Sequence, residues 1–437
     1  MRQTATREKI MTTGKIWLAA GLATVLAACA AMDGATPAQA AWPTKSSVVA
    51  TQTGFTAEGL AALDARMKQA VDKDEVAGLE YALIKDGKVV AFNIFGNQSR
   101  GGPPMQEDTI FRIRSMTKPI TGVAMMQLWE QGKWKPEDPV TKFLPELANL
   151  KVATSADNLD NLVPANRAPT MNEVMTHTAG FGYGLSANNA VDRAYMADQP
   201  MEKKDLPALV KRVSEIPLLA QPGEKWSYSI AVDLQGAIVE KLSGKKFGDY
   251  LEQNIFAPLS MKDTGFWLTE AERPRFATVY QRNPQTNAWD VFPDPAARDF
   301  FLRPQAESGG GGLASTLHDY TRFTQMLLNK GELDGKRILK PETVDYMMQN
   351  HIGALKGVFG GGGFGYGGMV VTGEPTERAP APKGSFNWFG IDGTWFWVDP
   401  SNNLAFVGMI QRRGSAGAGA VDVRGESAQL VYKALVK

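Results

Sequence analysis

The sequence predicts an α/β protein of the α+β kind, in which a sheet-containing lobe is built from both chain ends and a mainly helical lobe is inserted between them. Strand-like runs of β-branched and aromatic residues occur near the beginning, at 79–95, and again near the end, at 367–410. Between about 136 and 300 the pattern is mostly that of helices and loops. No internal repeat of fixed period interrupts this arrangement.

The individual elements follow from the spacing of apolar residues. Two strand-like runs, at 79–85 and 88–95, flank Asp86-Gly87, which is a strong signal for a two-residue hairpin turn. Further strands are predicted at 367–371, 393–398 and 404–410. Helices are predicted at 56–73, 117–131, 203–215, 230–243, 246–256, 315–330 and 423–436.

The composition excludes several classes of protein. The chain has 437 residues, with 47 basic and 46 acidic side chains and a formal net charge of +1. Nucleic-acid-binding proteins usually carry a basic excess, so we predict no nucleic-acid partner. One cysteine excludes a disulfide framework within the chain and a cysteine-ligated zinc site, and three histidines leave few ways to build a His-rich site. We therefore predict no metal and no cofactor.

The first 42 residues have the features of an export signal. A basic stretch at 7–15 precedes an uncharged apolar run at 16–28, which is well short of the ~20 residues that a membrane-spanning helix needs. The run ends in Leu-Ala-Ala and is followed by Cys29, the only cysteine of the chain. This sequence resembles the bacterial lipobox, in which the cysteine is lipidated and becomes the new N-terminus. We expect membrane association through that lipid anchor.

Ordinary cleavage is the alternative to lipidation. Ala38-Gln39-Ala40 has the small-residue pattern of a signal-peptidase site, and a start at Met11 would give a tidier signal. In both cases the protein is exported to the bacterial cell envelope, as a membrane-anchored lipoprotein or as a periplasmic or secreted protein. The predicted segments are a signal and lipobox at 1–29, a linker at 30–50, an α/β lobe at 51–135 and 301–437, and a mainly helical lobe at 136–300.

The strongest candidate for a nucleophile is Ser115, in the sequence Ser-Met-Thr-Lys at the start of the helix at 117–131. Helical spacing places the Lys118 amine on the same face as the serine hydroxyl. Serine needs a base to take its proton, and a lysine can serve if burial lowers its pKa. The same spacing at 243–246 lies in a charged, glycine-containing turn, where a structural role is favoured. By residue type alone, a serine at a helix start is usually only a cap.

A series of motifs resembles the serine β-lactamase and penicillin-binding-protein superfamily, and more closely the family VIII carboxylesterases and class C β-lactamases. The Ser-x-x-Lys motif at 115–118 is the first of them. The others are weak singly, but their order over about 55–435 is specific. They lie at 138–140, 143–146, 175–180, 222–229, 255–265, 308–315, 363–367 and 393–400. The resemblance implies a β-lactamase/transpeptidase-like fold, an antiparallel sheet lobe flanked by helices with an inserted helical lobe, and a covalent acyl-enzyme.

The resemblance also implies a role for Tyr228, which stands at the position of the family's Tyr-x-Asn or Tyr-Ser-x element. Tyr228 would act as general base for Ser115 and as acid to the leaving group, with its pKa lowered by the Lys118 ammonium. The alternative is a tyrosine that only packs in an aromatic segment. Ile230 stands where class C enzymes carry asparagine, so a hydrogen bond to a substrate amide is absent.

A third element, Trp388-Phe389-Gly390, stands where penicillin-recognising enzymes carry Lys-Thr/Ser-Gly, and it resembles the Trp-Gly-Gly of family VIII. The N–H groups of Ser115 and Ile391 would form the oxyanion hole. A strand at 394–398 would form the edge of the site. The alignment of 388–391 could slip by one residue, and by residue type alone the tryptophan could be a core aromatic.

Other features are weaker candidates. His177 lies in a polar turn, and His318 and His351 have no carboxylate at motif spacing, so we expect structural roles for them. The glycine-rich stretch at 357–368 lacks the strand–turn–helix setting of a dinucleotide site. The four glycines at 309–312 should permit close backbone approach near the pocket. Arg412-Arg413 is expected to form a solvated rim, although either could bind a substrate carboxylate.

The sequence therefore predicts a serine hydrolase that acts on small or medium carboxylic esters, with a small-molecule ester as its partner. The alternative enzymes are a D-alanyl carboxypeptidase and a class C-like β-lactamase. The alternative of another class is a non-catalytic envelope protein that keeps the fold as a binding module. Because serine, lysine and tyrosine are all present at the motif positions, the enzymatic interpretation is favoured.

Overall fold

A computed structural model of the protein describes residues 42–49, 54–293, 299–355, 358, 361–414 and 422–436. The predicted signal segment with Cys29, and most of the predicted linker, lie outside these residues. The helices are Ala57–Asp72 (α1), Thr117–Glu130 (α2), Met171–Met175 (α3), Ala190–Asp198 (α4), Leu206–Val213 (α5), Ala231–Ser243 (α6), Phe247–Leu251 (α7), Leu317–Leu328 (α8), Pro341–Met347 (α9) and Val423–Ala434 (α10). Short 3-10 turns lie at Lys45–Ser47, Arg114–Met116, Val140–Lys142, Pro145–Asn149, Pro200–Glu202 and Arg273–Arg275.

The strands are mostly short, and the first two, with eight and nine residues, are the longest. They are Gly78–Lys85 (β1), Lys88–Gly96 (β2), Ile110–Arg112 (β3), Lys151–Ala153 (β4), Leu162–Pro164 (β5), Tyr280–Arg282 (β6), Trp289–Val291 (β7), Ala314–Thr316 (β8), Glu332–Leu333 (β9), Lys336–Arg337 (β10), Gly363–Phe364 (β11), Met369–Val370 (β12), Phe386–Phe389 (β13), Trp395–Asp399 (β14) and Leu404–Met409 (β15). No helix in the described part of the chain is both long enough and apolar enough to cross a membrane.

The main sheet joins the two ends of the chain. Within the described residues it has seven strands, in the order β11-β12-β13-β14-β15-β1-β2, and each pair is antiparallel. The early hairpin β1-β2 therefore lies beside the late strand β15, with Glu80 opposite Met409. Asp86 and Gly87 have φ angles of +51° and +71°, the left-handed conformation that a two-residue hairpin turn of this kind requires. The predicted antiparallel sheet lobe is confirmed.

Helices cover both faces of this sheet, which explains why β1, β14 and β15 are buried almost continuously and not only at every second residue. Tyr81 and Trp395 belong to the apolar cluster that α1 and α10 form on one face. Ala82 and Phe396, the next residues along, belong to the larger cluster on the other face, together with α8 and α2. The period-two alternation of strand side chains thus distributes one sequence run between two cores.

A short ladder between β3 and β8 brings together the segments that later form the site. Phe111 lies opposite Ser315, and the Ile113 N–H donates to the Leu313 carbonyl at 3.2 Å. Because β3 leads into α2, and β8 follows the glycine run at 309–312, this pairing sets that run against the beginning of α2. The ladder has only three residues on each side, so the surrounding core must hold it in place.

The region between α2 and α8 contains the helices α3 to α7 joined by loops, and it also contains the hairpins β4-β5 and β6-β7. These strands have three residues each, which is too short for a recognisable alternation of apolar residues. The helix predicted at 246–256 is α7 followed by a π-helical turn, Glu252–Phe256. Strand β6 also reaches the other lobe, because the Tyr280 N–H donates to the Gln411 carbonyl at 3.1 Å.

Glu80, on strand β1 between β15 and β2, is fully buried. Burial is the main cause that raises the pKa of Glu80 well above its usual value. The nearby side chain of Thr109 acts in the opposite direction, and the charges of Asp108 and Glu107 raise the pKa further. The folded protein therefore keeps this carboxyl group protonated over a pH range in which the unfolded chain releases the proton.

We expect Glu80→Gln to flatten the decline of stability with rising pH. The folded state binds the Glu80 proton more tightly than the unfolded chain, in which the pKa is 4.5. The contribution of Glu80 to the free energy of unfolding is therefore complete below pH 4.5 and is lost as the pH rises through the pKa of the folded state. The slope of this loss is at most about 1.4 kcal/mol per pH unit. Denaturant unfolding at about pH 5 and about pH 8 measures it. Glu374→Gln, in an exposed loop, is the control; equal slopes for Glu80→Gln and wild type would contradict this assignment.

Candidate active site

Ser115 lies in the 3-10 turn Arg114–Met116, which leads directly into α2. The preceding residue, Arg114, has a φ of +45°, a left-handed conformation that is uncommon for a residue with a side chain. Two hydrogen bonds fix the turn: the Tyr320 hydroxyl donates to the Met116 carbonyl at 2.9 Å, and the Leu313 N–H donates to the Thr117 hydroxyl at 3.1 Å. The serine hydroxyl is thereby held at the start of a rigid, buried helix.

Two of the predicted partners reach the Ser115 hydroxyl. The Tyr228 hydroxyl donates to Ser115 Oγ at 2.8 Å, and Lys118 Nζ lies 3.4 Å from the same atom. Lys118 follows on the same helical face, as the Ser-x-x-Lys spacing predicts, whereas Tyr228 comes from the segment that precedes α6. The structure thus brings together three residues that the sequence singled out separately.

Lys118 is fully buried. Its Nζ donates to the Gly310 carbonyl at 2.6 Å and lies 3.3 Å from the Tyr183 hydroxyl. The amine also lies over the rings of Tyr183 and Tyr228, 5.0 and 4.5 Å from their centroids. Such contacts compensate part of the cost of burying an amine. Tyr183 was not predicted, since only the fold brings it next to the lysine.

The glycine run at 309–312 is held in place by Asp233, the third residue of α6. Asp233 Oδ1 accepts hydrogen bonds from the Ser308 hydroxyl at 2.6 Å and from the Gly310 N–H at 3.0 Å. A Cβ at position 310 would lie 2.6 Å from Asp233 Oδ2 and 2.6 Å from the Tyr183 hydroxyl, so no side chain fits there. The predicted close backbone approach is confirmed, and it directs the Gly310 carbonyl toward the lysine amine.

The pKa of Tyr228 is raised rather than lowered, so the prediction that the Lys118 ammonium would lower it was wrong. Burial is the largest cause, because it disfavours the phenolate. Hydrogen bonds with the Ser115 and Trp388 side chains act in the opposite direction, and the charge of Asp233 adds to the rise. At rest, Tyr228 is therefore a neutral phenol that donates its proton to Ser115 Oγ.

His177 lies beside the tyrosine rather than beside the serine. Its ring centroid is 4.9 Å from that of Tyr228, and its Nδ1 accepts the Ser229 N–H at 3.1 Å. Burial, with the charge of Lys118, holds the pKa of His177 well below its usual value, so the ring is neutral. This environment fits the structural role predicted for it. In the described part of the chain, no group of three or more His, Cys, Asp or Glu side chains could hold a metal ion.

Trp388 is buried on β13, with its ring centroid 5.6 Å from that of Tyr228 and 5.3 Å from that of Phe364. The prediction that a strand at 394–398 forms the edge of the site was wrong. Strand β13 lines the site, and β14 lies between β13 and β15 in the interior of the sheet. We missed β13 as a strand because it has only four residues and follows a long loop rich in proline and glycine.

Ile391 lies in the turn between β13 and β14, where it is 46% exposed and lines the same cavity as Ser115. The neighbouring Gly390 is tightly packed, since a Cβ there would lie 2.5 Å from the Ile113 carbonyl oxygen. This turn is therefore pressed against the chain that leads to Ser115. The oxyanion role of Ile391 stays a prediction, and its location beside the nucleophile is the one that the resemblance implied.

A cavity of about 700 Å³ opens beside Ser115, a size typical of small-molecule sites. One wall comes from α4 and the turn that follows it, which the sequence did not identify because no motif marks them. Leu185 and Met196 are 60% and 46% exposed at the mouth. The cavity is lined by Arg114, Ser115, Tyr183, Gly184, Leu185, Tyr195, Met196, Gln199, Pro200, Met201, Glu202, Tyr228, Ile230, Gly310, Gly311, Trp388, Phe389, Ile391, Arg413 and Gly414.

The two adjacent arginines have different environments. Arg413 lines the cavity, and its Nε donates to Asp392 Oδ1 at 2.8 Å. Arg412 is buried and lies over the ring of Trp289, 5.4 Å from its centroid. The prediction of a solvated rim was therefore wrong for Arg412, because the β6-β7 hairpin packs along residues 411–413 and covers it.

Comparison with known proteins agrees with this geometry. The family model described as Beta-lactamase matches residues 63–429. Esterase EstB of Burkholderia gladioli is 30% identical over 393 residues, which cover 83% of this chain and 93% of that protein. An uncharacterized protein of Mycobacterium tuberculosis is 34% identical over 363 residues, covering 79% of this chain and 88% of that protein.

Solved structures show the same architecture. The hydrolase EstCE1, described as having promiscuous acyltransferase activity, superposes with a TM-score of 0.70 at 25% identity, covering 86% of this chain and 99% of that one. The predicted β-lactamase/transpeptidase-like fold is thereby confirmed. With a family model that matches most of its length and relatives at 30% identity or more, the chain belongs to the Beta-lactamase family and is a serine hydrolase.

Proposed function

We propose that this serine hydrolase cleaves small or medium uncharged carboxylic esters through a covalent acyl-enzyme. The observation that carries the proposal is the convergence of Lys118 and Tyr228 on the Ser115 hydroxyl, at the wall of a largely apolar cavity. An activated serine of this kind requires a base within hydrogen-bond reach, and two candidate groups are present. The esterases among the relatives support the same class of substrate.

In the proposed mechanism, Ser115 Oγ attacks the ester carbonyl and its proton passes to the pair formed by Lys118 and Tyr228. Lys118 Nζ, in its neutral form, is the acceptor within reach of Oγ, and the neutral phenol of Tyr228 gives a proton to the departing alkoxide oxygen. The N–H groups of Ser115 and Ile391 hold the oxyanion. Water then attacks the acyl-enzyme, the proton transfers run in reverse, and the carboxylic acid leaves.

The side chains around the cavity support an uncharged substrate. Trp388 supplies an indole where penicillin-recognising relatives carry a lysine, and Ile230 supplies no hydrogen bond for an amide side chain. Arg114 and Arg413 line the cavity, but both form ion pairs with Asp392. A substrate carboxylate would have to compete for these arginines, because burying it without a cation is costly.

A β-lactamase or D-alanyl carboxypeptidase is the second candidate, favoured by the position of Arg413 on the cavity wall. If the ion pair with Asp392 opened, this guanidinium could bind a carboxylate in a bidentate manner. A non-catalytic binding protein is the remaining alternative, and it would leave Ser115 unreactive.

We also propose that the protein is exported and anchored in the bacterial cell envelope by lipid on Cys29. The proposal is supported by the lipobox-like sequence and by the occurrence of the single cysteine at that position. A diacylated cysteine supplies the multiple chains that stable membrane attachment needs. The alternative is plain export with cleavage after Ala40.

We expect Ser115→Ala, Lys118→Ala and Tyr228→Phe each to lower kcat for p-nitrophenyl butyrate roughly a thousandfold or more, because each removes a group of the proposed proton-transfer unit. Losses within such a unit do not add, so the Lys118→Ala/Tyr228→Phe double variant should be little slower than either single variant. Initial rates and labelling by a fluorophosphonate probe measure these effects. His318→Ala is the control that should retain wild-type rates. A folded His177→Ala variant that no longer labels would contradict the assignment of the base.

We expect kcat/KM for p-nitrophenyl butyrate to exceed that for nitrocefin by roughly a hundredfold or more. The physical reason is the cost of burying the nitrocefin carboxylate against Trp388 without a free cation. Both substrates should be assayed on one purified sample, with Ser115→Ala as the blank. Comparable efficiencies would move the assignment to a β-lactamase. Absence of both activities and of fluorophosphonate labelling would favour the binding protein.

We expect the full-length chain, expressed in a Gram-negative host, to partition into the detergent phase, and Cys29→Ala to remain in the aqueous phase or to be left unprocessed. The acyl chains are the cause, since each buried CH₂ contributes about 0.8 kcal/mol to membrane binding. Detergent phase separation and intact mass spectrometry are the measurements. A mature wild-type protein that begins at Ala41 would refute lipidation and support simple export.

A further inference from the structure

The proposed oxyanion hole depends on two segments that are far apart in the sequence. One donor, the N–H of Ser115, precedes α2, and the other, the N–H of Ile391, lies in the turn between β13 and β14. Catalytic donors of this kind must be held close to the position that the oxyanion will occupy, and a displacement of about 1 Å is costly. Some feature of the structure must therefore fix one segment against the other.

Asp392 joins the two segments. Its side chain is fully buried, and Oδ2 accepts a hydrogen bond from Arg114 Nε at 2.5 Å. Oδ1 accepts from both Nε and a terminal nitrogen of Arg413, at 2.8 and 2.7 Å. Arg114 is the residue immediately before Ser115, and Asp392 is the residue immediately after Ile391. One carboxylate thus connects the neighbours of both donors; we call Arg114, Asp392 and Arg413 the Asp392 clamp.

Further contacts hold the same turn. The Thr394 hydroxyl donates to the Ile113 carbonyl at 3.2 Å, and the Gly390 N–H donates to the Thr394 carbonyl at 2.7 Å. On its other side, the Arg412 N–H donates to the Asp392 carbonyl at 2.7 Å. The turn is therefore fixed against the chain on either side of the Asp392 clamp, and its freedom to move away from Ser115 is small.

The Asp392 clamp also has an energetic cost, which comes from its buried charges and from the backbone conformation of Arg114, and this cost indicates a functional role. Buried ion pairs contribute little net stability, because the desolvation of the charges opposes their attraction. Arg114 has the left-handed φ of +45° described above, and its side chain ends at Asp392. Unfavourable backbone conformations that persist next to a reactive residue are typical of sites where geometry is selected over stability. The strain and the buried charges meet at the same three residues.

We propose that Asp392 is a positioning residue, which fixes the N–H groups of Ser115 and Ile391 relative to each other and so determines the rate of acyl transfer without touching the substrate. This inference rests on the proposed function of the same site. Hydrogen bonds to the oxyanion are made in the transition state, so their loss lowers kcat and leaves KM nearly unchanged.

The test compares Asp392→Asn with Asp399→Asn. Asp399 is also fully buried and receives hydrogen bonds in a turn, but it lies at the opposite end of β14. We expect Asp392→Asn to lower kcat for p-nitrophenyl butyrate about tenfold to a hundredfold, with KM within about twofold of wild type. Asp399→Asn should retain the wild-type kcat. If Asp392 had a purely structural role, Asp392→Asn would not lose kcat selectively while Asp399→Asn kept the wild-type kcat.

Two further measurements identify the oxyanion hole as the part affected. A phenylboronic acid forms a tetrahedral adduct with an activated serine, so its inhibition constant should rise in Asp392→Asn by the same factor as kcat falls. The pH profile of kcat/KM should keep its shape, because Lys118 and Tyr228 are untouched. A changed profile with unchanged boronate affinity would overturn the proposal and assign Asp392 to proton transfer.

If Asp392→Asn does not fold, Arg413→Gln decides, since Arg413 is partly exposed and its loss leaves the Arg114 pair intact. We expect this variant to lose kcat severalfold at unchanged KM. A folded Asp392→Asn or, in its place, a folded Arg413→Gln with wild-type kcat and boronate affinity would overturn the Asp392 clamp alone. A wild-type protein that neither hydrolyses the ester nor reacts with the fluorophosphonate would instead overturn the proposed function, and this inference with it.

Discussion

Burial of the Lys118 amine against the hydroxyl of Ser115 is the constraint to which the rest of the site conforms. The amine needs a hydrogen-bond acceptor away from water, and the Gly310 carbonyl supplies it at 2.6 Å. That carbonyl can approach only because position 310 has no side chain, and Asp233 fixes its orientation. The β3-β8 ladder then holds the whole glycine run against α2. The buried amine thus accounts for the position of the Gly310 carbonyl, and that carbonyl accounts for the glycine, for Asp233 and for the β3-β8 ladder that hold it.

The remaining groups come from two other parts of the fold. Tyr228 is supplied by the segment before α6, whereas Trp388 is supplied by β13 and Ile391 by the turn that follows it. The 3-10 turn before α2 carries Ser115, and the first turn of α2 carries Lys118. A site at such a junction combines rigid supports from separate cores, which is where small-molecule cavities commonly occur. The apolar wall from α4 completes the cavity without contributing to the proposed chemistry.

The sequence was sufficient wherever local patterns decide the structure. Asp86-Gly87 predicted the hairpin, helical spacing predicted α1, α2 and α8, and the Ser-x-x-Lys spacing placed Lys118 beside Ser115. The sequence was insufficient where contacts between segments far apart in the chain decide the structure. Nothing near Tyr183 in the sequence indicates the lysine that it contacts, and nothing near Asp392 indicates its two arginines. Strand β13 and the small hairpins are too short to show a period, so only pairing with their neighbours defines them.

The direction of the Tyr228 pKa shift bears on how the proton moves. From residue types alone, proximity to Lys118 suggested an easily formed phenolate, but burial of the phenol outweighs that effect. A raised pKa makes the phenolate rarer and also more basic, so its proton affinity comes closer to that of the serine alcohol and of an alkoxide leaving group. Proton transfer between groups of similar pKa has little thermodynamic cost in either direction. In the proposed reaction the phenol can therefore hold the proton at rest, release it as the alkoxide departs and recover one from the attacking water, which makes one tyrosine suitable for both halves of the reaction.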